Sequence, residues 1–531
     1  MISSMNIANY LKKTALYPQW KKIGIHPHHG INIPLGSLKT HHSSGIGEFY
    51  DLLPLIDFCS EIGFDIIQLL PINDSGDDPS PYNALSSMAL HPIYLSLKHL
   101  PYMHQYADLQ NQLPSFQEYN RCEKIEYHSI LKKKESFLRS YVALAGASLL
   151  QAEKYKDFLH LHPWVKSYSL YKALKTSMSF ASWQTWPEDL ASPSNQRLEE
   201  LYQLHQNEVD YFSICQYLCF EQMHFVKTYA EKKKIFLKGD LPILISPDSA
   251  DVWLERAYFN TDYQVGYPPD YYTEKGQLWG FPALCWDIIE KKNFNWWRQR
   301  LFVGSFFYHL YRLDHVAGFY RLWLIEQGKE PKDGCYVPED LDEAIRQGHH
   351  YLSIIPLFAS MLPIAEDLGN IPPEMFDSLK TLGICGTRVL RWQRAWETDG
   401  SFIPFEDYEP LTMTCVSTHD SSTLAQWWSQ DQQEAQEYAA WQSLEYDPIL
   451  DPATRFEILK KTHSSASLFH INLFPEYLAL IPEFVSEDID QERINIPGKI
   501  LPTNWTYRLK KPLEEITSHQ GFKTLMRQLT D

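Results

Sequence analysis

The segment SFFYHLYRLDHVAGFYRLWLI, residues 305–325, places three ionisable side chains among apolar and aromatic residues. Arg312, Asp314 and His315 lie at its centre. Because burying an unpaired charge is costly, ionisable groups in such a setting are usually paired or functional. This segment alone is equally compatible with a structural Arg–Asp pair and with a reactive carboxylate held by an arginine.

Two further acidic residues occupy comparable positions at the ends of short apolar runs. Glu366 lies in IAEDLG and Asp420 in STHD. If the runs are parallel strands of a barrel, the three carboxylates meet at one rim. Retaining cleavage of a glycosidic bond uses a carboxylate nucleophile and a carboxylic acid about 5–5.5 Å apart, and two carboxylates that close push their pKa values apart. Arg312 shares a strand face with Asp314 and is suited to keep it ionised.

Two other interpretations of these acidic residues stay open at this point. A metal-assisted lyase or isomerase would use the same carboxylates as Mg²⁺ ligands. Alternatively, the three residues belong to structural ion pairs and take part in no reaction. Their spacing favours the enzyme that acts on glycosidic bonds.

The apolar runs that precede these residues are typical of buried parallel strands. They occur over residues 64–74, 235–245, 310–319, 362–370, 386–392 and 413–420. Helical patterns lie between several of them, for example over 295–312 and 371–383. This alternation, with polar residues collected at the strand ends, predicts an α/β fold, a (β/α)₈ barrel of the TIM type. The chain has neither a G-x-G-x-x-G nor a G-x-x-x-x-G-K-[ST] motif after a strand, so nucleotide binding has no support.

Residues 115–230 depart from this alternation. They carry long amphipathic helical patterns without strands, which predict a helical insertion into the barrel. Another helical pattern is predicted over 444–473, followed by an irregular tail. No change in composition marks a C-terminal β-sandwich, so residues 1–531 are predicted to form a single catalytic domain.

The composition is that of a globular protein with an acidic surface. Of its 531 residues 44% are hydrophobic and 21% charged, and the formal net charge is −18. Nucleic acid and anionic lipid surfaces are therefore poor partners. Aromatic residues make up 14% of the chain, which suits either a large core or a groove on which sugar rings stack. A neutral carbohydrate fits this charge better than a phosphate-rich partner.

Cysteines, histidines and the N-terminal sequence give expectations about compartment and cofactors. No apolar stretch has the length of a signal-peptide core or a transmembrane helix, which predicts a cytoplasmic protein without membrane attachment. The eight cysteines are scattered and are expected to be free thiols. Histidines cluster at His26, His28 and His29 and at His41 and His42, in sequence that reads as loop without carboxylates at ligand spacing. Neither a metal nor another cofactor is predicted.

Several separate blocks of the sequence, taken together, indicate a family far more specifically than any one of them does. They are GIGEFYDLLPLIDFCSEIG, SPYNALSSMALHPIYL, GDLPILISPDSADVW, PPDYYTEKGQLWGFPALCW, RLDHVAGF, IAEDLGNIPPEM, STHDSSTLAQWW, RINIPG and NWTYRL. In this order, from about residue 30 to 510, they resemble the 4-α-glucanotransferases of the amylomaltase or disproportionating-enzyme family, relatives of the α-amylases. The resemblance implies transfer of an α-1,4-glucan segment from a donor to the 4-hydroxyl of glucose or a maltooligosaccharide, with retention and without a cofactor.

The resemblance also implies a role for each residue of the catalytic blocks. Asp314 would be the nucleophile that forms a covalent glucosyl intermediate, and Glu366 the general acid/base. Asp420 would hold sugar hydroxyls and favour the distorted transition state. Arg312 would orient Asp314, and His419 would bond a hydroxyl of the reacting glucose.

Other matching positions are implied to bind substrate. Tyr82 would stack under the reacting glucose with Asp240 nearby, and Asn495 would contribute to acceptor binding. The segment PPDYYTEKGQLWG, with Asp270, Gln277 and Trp279, would form a loop over the acceptor side. The aromatic rings of such a lid would exclude water from the intermediate and leave room for a sugar hydroxyl.

The sequence departs from the family pattern near these binding positions. Tyr267 in GYPPD stands where a small residue is usual, and Leu284 and Cys285 replace an aromatic or polar pair. These differences bear on donor and acceptor length rather than on the reaction. The sequence leaves two alternatives: an α-glucan hydrolase, if the lid over 268–280 is ineffective, and a catalytically inactive glucan-binding scaffold.

Overall fold

The computed structural model describes residues 7–269 and 274–530. Its central parallel sheet has eight strands: β1 His28–Ile33, β2 Ile66–Leu69, β3 Phe236–Leu241, β4 Leu310–Leu313, β5 Leu362–Ala365, β6 Gly386–Val389, β7 Thr412–Cys415 and β8 Phe469–Leu473. Neighbours in the sheet follow the chain order, and β8 pairs with β1. A bridge between Ile364 and Cys385 brings β5 beside β6, so the sheet is nearly closed into a barrel. The predicted (β/α)₈ class is confirmed.

Six of the barrel strands overlap the six predicted apolar runs, whereas β1 and β8 were assigned wrongly. The segment of β1 was interpreted as loop because the surrounding sequence is rich in Gly, Pro and Ser, and β8 fell in the predicted helix over 444–473. The helix there is Pro452–His463 only. In β8 the residues Phe469, Ile471 and Leu473 alternate with polar residues, which is a strand pattern. The preceding helical pattern obscured this alternation.

Helices surround the barrel. Those outside the predicted insertion with at least seven residues are Tyr17–Ile23, Leu52–Ile62, Asn295–Gly304, Leu341–Ile354, Pro373–Leu382, Leu424–Gln430, Gln432–Gln442, Pro452–His463 and Gln520–Gln528. Local sequence explains several ends. The helix Pro373–Leu382 begins with a proline and ends at Gly383, whose φ of 78° requires the freedom of glycine. The pattern predicted over 295–312 is helical only to Gly304, and the chain then turns into β4.

Between β2 and β3 the described chain forms a layer of helices beside the barrel. They are Ala107–Gln110, Gln117–Asn120, Tyr127–Gln151, Glu153–Leu161, Trp164–Ser177, Glu188–Ala191, Asn195–Leu204 and Gln206–Lys232. The last of these carries Gln216, whose side-chain amide accepts from the Leu90 N–H at 2.9 Å and donates to the Leu90 carbonyl at 2.8 Å. Both residues are buried, so this pair of hydrogen bonds satisfies backbone groups of Leu90 that would otherwise lack partners.

A second, antiparallel sheet lies at the rim of the barrel. Its strands are Phe259–Tyr267, Gln277–Leu284, Leu322–Glu326 and Cys335–Val337. The first two form a hairpin, called here the rim hairpin. The lid over 268–280 was expected to be a loop, and this expectation is wrong for its last four residues, because residues from Gln277 pair with the preceding strand. The remaining part of the lid includes residues 270–273, which lie outside the described residues.

The C-terminal part of the chain returns to the start of the barrel. Among the described residues after Leu473 there are helices and turns but no strand. The helices Leu513–Ser518 and Gln520–Gln528 pack on Leu52–Ile62, where the rings of Phe522 and Phe58 stack with centroids 5.6 Å apart. No helix in residues 7–269 or 274–530 has the length and apolar character needed to cross a membrane.

Candidate active site

The carboxyl-terminal ends of the barrel strands surround a groove with a volume of about 2210 Å³. Asp314 follows β4, Glu366 follows β5 and Asp420 lies beyond β7, and all three line the groove. They converge because parallel strands end at the same edge of a barrel. Six predicted binding residues also line the groove: Tyr82, Gln277, Trp279, Arg312, His419 and Asn495. Asp240 is buried behind Tyr82 and Arg312, and Asp270 lies outside the described residues.

Arg312 is the centre of the charge arrangement. Its Nη1 donates to both oxygens of Asp240 at 3.0 Å and to Asp314 Oδ1 at 2.6 Å. Its Nη2 lies 3.8 Å from Glu366 Oε2. The pair with Asp240 follows from the sheet, because the two residues face each other in the register of β3 and β4. Burial raises the pKa of Asp240, although Arg312 opposes this change. The arginine predicted to orient Asp314 therefore also compensates a buried carboxylate.

Glu366 is held by two backbone N–H groups. Its Oε2 accepts from the N–H of His315 at 2.9 Å and its Oε1 from the N–H of Leu368 at 3.0 Å. Burial and the charge of Asp314 raise the pKa of Glu366, Arg312 and the two N–H groups oppose the rise, and the resulting pKa is about 7. A carboxyl group with this pKa exchanges its proton near neutral pH, as a general acid/base must.

Asp420, unlike Glu366, is held in its ionised form. Its Oδ1 accepts from Asn495 Nδ2 at 2.6 Å, and its Oδ2 lies 3.2 Å from His419 Nε2. Burial alone would raise its pKa, but the contacts with His419 and Asn495 and the charge of Arg312 lower the pKa of Asp420 to about 2. Its side chain is 44% exposed at the groove, so a permanently ionised carboxylate is available to hydroxyl donors of a ligand.

Tyr82 forms one wall of the site. Its hydroxyl donates to Asp240 Oδ2 at 2.8 Å, and its ring stacks on His419 with centroids 5.3 Å apart. The ring of Trp505 lies 5.7 Å from Tyr82 and 5.9 Å from His419. A flat apolar surface next to ionised carboxylates is the kind of surface on which a sugar ring stacks.

The rim hairpin supplies the opposite wall. Trp279 meets the ring of His315 edge-on, with centroids 4.9 Å apart. Its indole N–H donates to Gln277 Oε1 at 3.0 Å. Burial lowers the pKa of His315 to about 4, so this ring is neutral at neutral pH. Gln277 and Trp279 therefore line the groove beside His315, whose N–H group holds Glu366.

Three groove residues were not predicted as site residues. Arg493 donates from Nη2 to the backbone carbonyl of Asp420 at 2.9 Å, and from Nε to the carbonyl of Asn495 at 2.7 Å. Its position in the RINIPG block was an available signal. Trp392 and Trp396 lie in the segment after β6, and Trp396 is 67% exposed. Their place just after a barrel strand was the signal that could have identified them.

The histidines near the N-terminus lie at the other end of the barrel. His28 begins β1, and its Nδ1 lies 2.6 Å from Asp65 Oδ2. With His26 these two residues form a group whose ligand atoms lie within 4.8 Å of one another. The structure thus brings a carboxylate to histidines that have none nearby in sequence. The same Asp65 also accepts a hydrogen bond from the N–H of His29 at 3.1 Å, so it already has a structural role in holding the first residues of β1.

Three carboxylates converge at the strand ends of this barrel. One has a pKa near 7, and another lies beside an arginine. This arrangement is typical of enzymes that act on glycosidic bonds through paired carboxyl groups. Comparison with known proteins agrees with this class. A family profile described as 4-alpha-glucanotransferase matches residues 33–514. The chain belongs to the 4-alpha-glucanotransferase family, as its sequence blocks indicated.

Individual relatives show how far the similarity extends. The chain is 43% identical over 527 residues to a 4-alpha-glucanotransferase of Chlamydia pneumoniae, covering 99% of both chains. A 4-alpha-glucanotransferase of Chlamydia caviae is 43% identical over 507 residues, covering 95% of this chain and 94% of the relative. Among solved structures, the amylomaltase from Streptococcus agalactiae in complex with acarbose superposes with a TM-score of 0.80. It is 24% identical, and the match covers 95% of this chain and 98% of that one.

Proposed function

We propose that this enzyme transfers a segment of an α-1,4-glucan from a donor to the 4-hydroxyl of glucose or a maltooligosaccharide. The transfer is a double displacement with net retention. Family membership supports the reaction class, and the groove geometry supports the assignment of roles. The proposal routes no step through a metal or another cofactor, and we place the reaction in the cytoplasm, where the eight free cysteines would stay reduced.

In the first displacement, a carboxylate oxygen of Asp314 attacks the anomeric carbon of the glucose unit at the bond to be cleaved. The bond between that carbon and the glycosidic oxygen breaks, and Glu366 gives its proton to the departing oxygen. The products are a glucosyl ester on Asp314 and a shortened glucan. Arg312 holds the attacking carboxylate in place, and Asp420 accepts hydrogen bonds from hydroxyls of the distorted ring.

In the second displacement, Glu366 acts as the base. It removes the proton of an acceptor 4-hydroxyl, whose oxygen attacks the anomeric carbon and releases the carboxylate of Asp314. A water molecule in the same place would give hydrolysis. The rim hairpin, with Trp279 against His315, stands beside Glu366, where it can exclude water and leave room for a sugar.

One observation carries these roles. Glu366 has a pKa raised to about 7, whereas the neighbouring Asp314 accepts a 2.6 Å hydrogen bond from Arg312. A group that exchanges protons near neutral pH thus stands beside a carboxylate held by a permanent cation. That difference is what an acid/base and a nucleophile require. The hydrogen bonds from Arg312 to Asp314 and from Asn495 to Asp420 also favour these roles over Mg²⁺ ligation.

The test is to incubate the enzyme with maltotriose and to follow the products by chromatography and by the total of reducing ends. Transfer produces glucose and a ladder of longer oligosaccharides while the number of reducing ends stays constant. An increase in reducing ends without longer products would establish a hydrolase instead. If neither maltotriose nor maltoheptaose changes, the chain is a glucan-binding scaffold and the proposal fails.

A further inference from the structure

Two aromatic residues connect the rim hairpin to the catalytic edge. The ring of Tyr267, at the end of the first strand, stacks near Trp279 of the second strand, with centroids 6.4 Å apart. Trp279 meets the ring of His315 at 4.9 Å. The hydroxyl of Tyr267 accepts a hydrogen bond from the backbone N–H of Asn370 at 3.1 Å.

Both contacts end on the segments that hold Glu366. One N–H donor to this carboxylate is that of His315, beneath Trp279. The other is that of Leu368, two residues before the Asn370 N–H that Tyr267 accepts. The hairpin therefore contacts the backbone near both N–H donors to Glu366: Trp279 packs on His315, and Tyr267 bonds to Asn370 near Leu368.

In the turn over residues 366–370, a glycine lies next to the Tyr267 hydroxyl. Gly369 has a φ of 96°, and a β-carbon at this position would lie 3.0 Å from the Tyr267 hydroxyl. A side chain at this glycine would thus be both strained and crowded. Among the described residues, the other hydrogen bonds donated by the 368–371 backbone stay within the turn: Leu368 N–H to Glu366 Oε1 and Ile371 N–H to the Gly369 carbonyl, both at 3.0 Å. The tyrosine hydroxyl is therefore a main external support of this backbone segment.

We propose that Tyr267 is a positioning residue that fixes the 366–370 turn and so holds the Leu368 N–H on the Glu366 carboxylate. This inference rests on the proposed role of Glu366 as acid/base. A displacement of the hairpin would then change the pKa of Glu366.

The expected effect has a definite sign. An N–H donor stabilises the charged carboxylate, so loosening the Leu368 N–H raises the pKa of Glu366. Glu366 must carry a proton to start the reaction, and activity is lost as pH rises through its pKa. The alkaline limb of the pH profile therefore moves upward. The other charged groups facing Glu366 are Arg312 in β4 and Asp314 just after it.

The Asp367 side chain, next in sequence, is engaged elsewhere. It accepts from the Thr387 N–H at 2.6 Å and from Arg388 Nη1 at 2.9 Å. This anchor on β6 holds the base of the turn in any variant of the hairpin. We therefore expect the turn to loosen locally around Leu368 and Asn370 rather than to unfold.

The experiment compares the wild type with Y267F and the matched control Y336F. Phenylalanine at 267 keeps the ring beside Trp279 and removes only the hydroxyl. Tyr336 lines the same small pocket behind the hairpin, and no hydrogen bond joins its hydroxyl to the described part of the 366–370 turn. The readout is kcat/KM for maltotriose transfer from pH 5 to 9, together with the melting temperature of each variant.

For Y267F the alkaline limb is expected to move up by about half a pH unit, while Y336F keeps the wild-type profile. Superimposed profiles of Y267F and wild type would overturn the inference, as would an equal shift in Y336F. If Y267F melts early, its profile is measured below the melting transition, and an unmoved limb there overturns the inference equally. Failure of the wild type to form longer oligosaccharides would instead refute the proposed function, so the two failures are distinguishable.

Discussion

Replacing Arg312 by lysine tests whether this side chain positions the nucleophile or only balances buried charge. Lysine keeps the positive charge, but its single nitrogen stops one bond short of the Nη1 position. In the wild type that atom lies 3.0 Å from both oxygens of Asp240 and 2.6 Å from Asp314 Oδ1. Asp240 is fully buried, so we expect the ammonium to stay with it and to lose Asp314.

The size of the effect follows from that one lost contact. A hydrogen bond to a charged group contributes about 1.5–3 kcal/mol. With about 1.36 kcal/mol for each factor of ten in rate, kcat/KM for maltotriose transfer should fall about 10- to 160-fold. Most of the loss should appear in kcat, because the orientation of Asp314 matters at the attack on the anomeric carbon. Initial rates of glucose release, measured from below to above KM, separate the two parameters.

Arg455 provides the matched control. Its Nη1 lies 2.7 Å from Oε2 of Glu476, a buried carboxylate that follows β8. R455K should lower the melting temperature about as much as R312K and should leave most of the transfer activity. Equal losses of activity in R312K and R455K would mean that destabilisation, not the position of Asp314, explains the result. Wild-type kcat in R312K would refute the reasoning outright.

Three further predictions follow from other parts of the structure. Because the pKa of Glu366 is about 7, transfer should decline as pH rises through 7, and E366Q should lose about 10²- to 10⁴-fold in kcat at every pH, as rate measurements will show. Trp396 is exposed on the groove, so W396A should raise KM for amylose but not for maltotriose, whereas F180A, at an exposed aromatic outside the groove, should change neither. Burial lowers the pKa of His29 to about 4, below the unfolded value near 6.5, so this residue contributes stability that is complete above pH 6.5 and is lost as pH falls toward 4. Between pH 7.5 and 5 the stability measured by urea unfolding should fall by about 2 kcal/mol less in H29N than in wild type, whereas H128N, at an exposed histidine, should behave like wild type.

The fold was predictable where strands are apolar throughout. The runs before Asp314 and Glu366 were recognised as β4 and β5 because every residue of these strands is buried except the half-buried Arg312, and buried parallel strands need no alternation. The sequences of β1 and β8 mix His28, Asn32 and His470 with apolar residues, which hides the strand pattern. The partner of His28 is Asp65, which follows a later helix, so this pairing could not be inferred from local pattern.

The site was predictable to a similar degree. Position at a strand end identified the three carboxylates, because a parallel barrel brings such ends together. Arg493 and the hydrogen bond of Tyr267 were not accessible in this way. Both belong to segments whose path depends on packing over the rim, and nothing in the spacing of the residues sets that path. The same holds for the rim hairpin, whose second strand was taken for loop.

The last segment of the chain completes the catalytic edge, which has a consequence for synthesis on the ribosome. Asp314 and Glu366 emerge well before β8, which must pair with β1, and before Asn495 and Arg493, which hold Asp420. Translation delivers residues from the N-terminus at about 5–20 per second. For several seconds a nascent chain therefore presents Asp314 and Glu366 without a closed barrel around them. We expect that such a chain cannot cut glucan until β8, Arg493 and Asn495 have also been made.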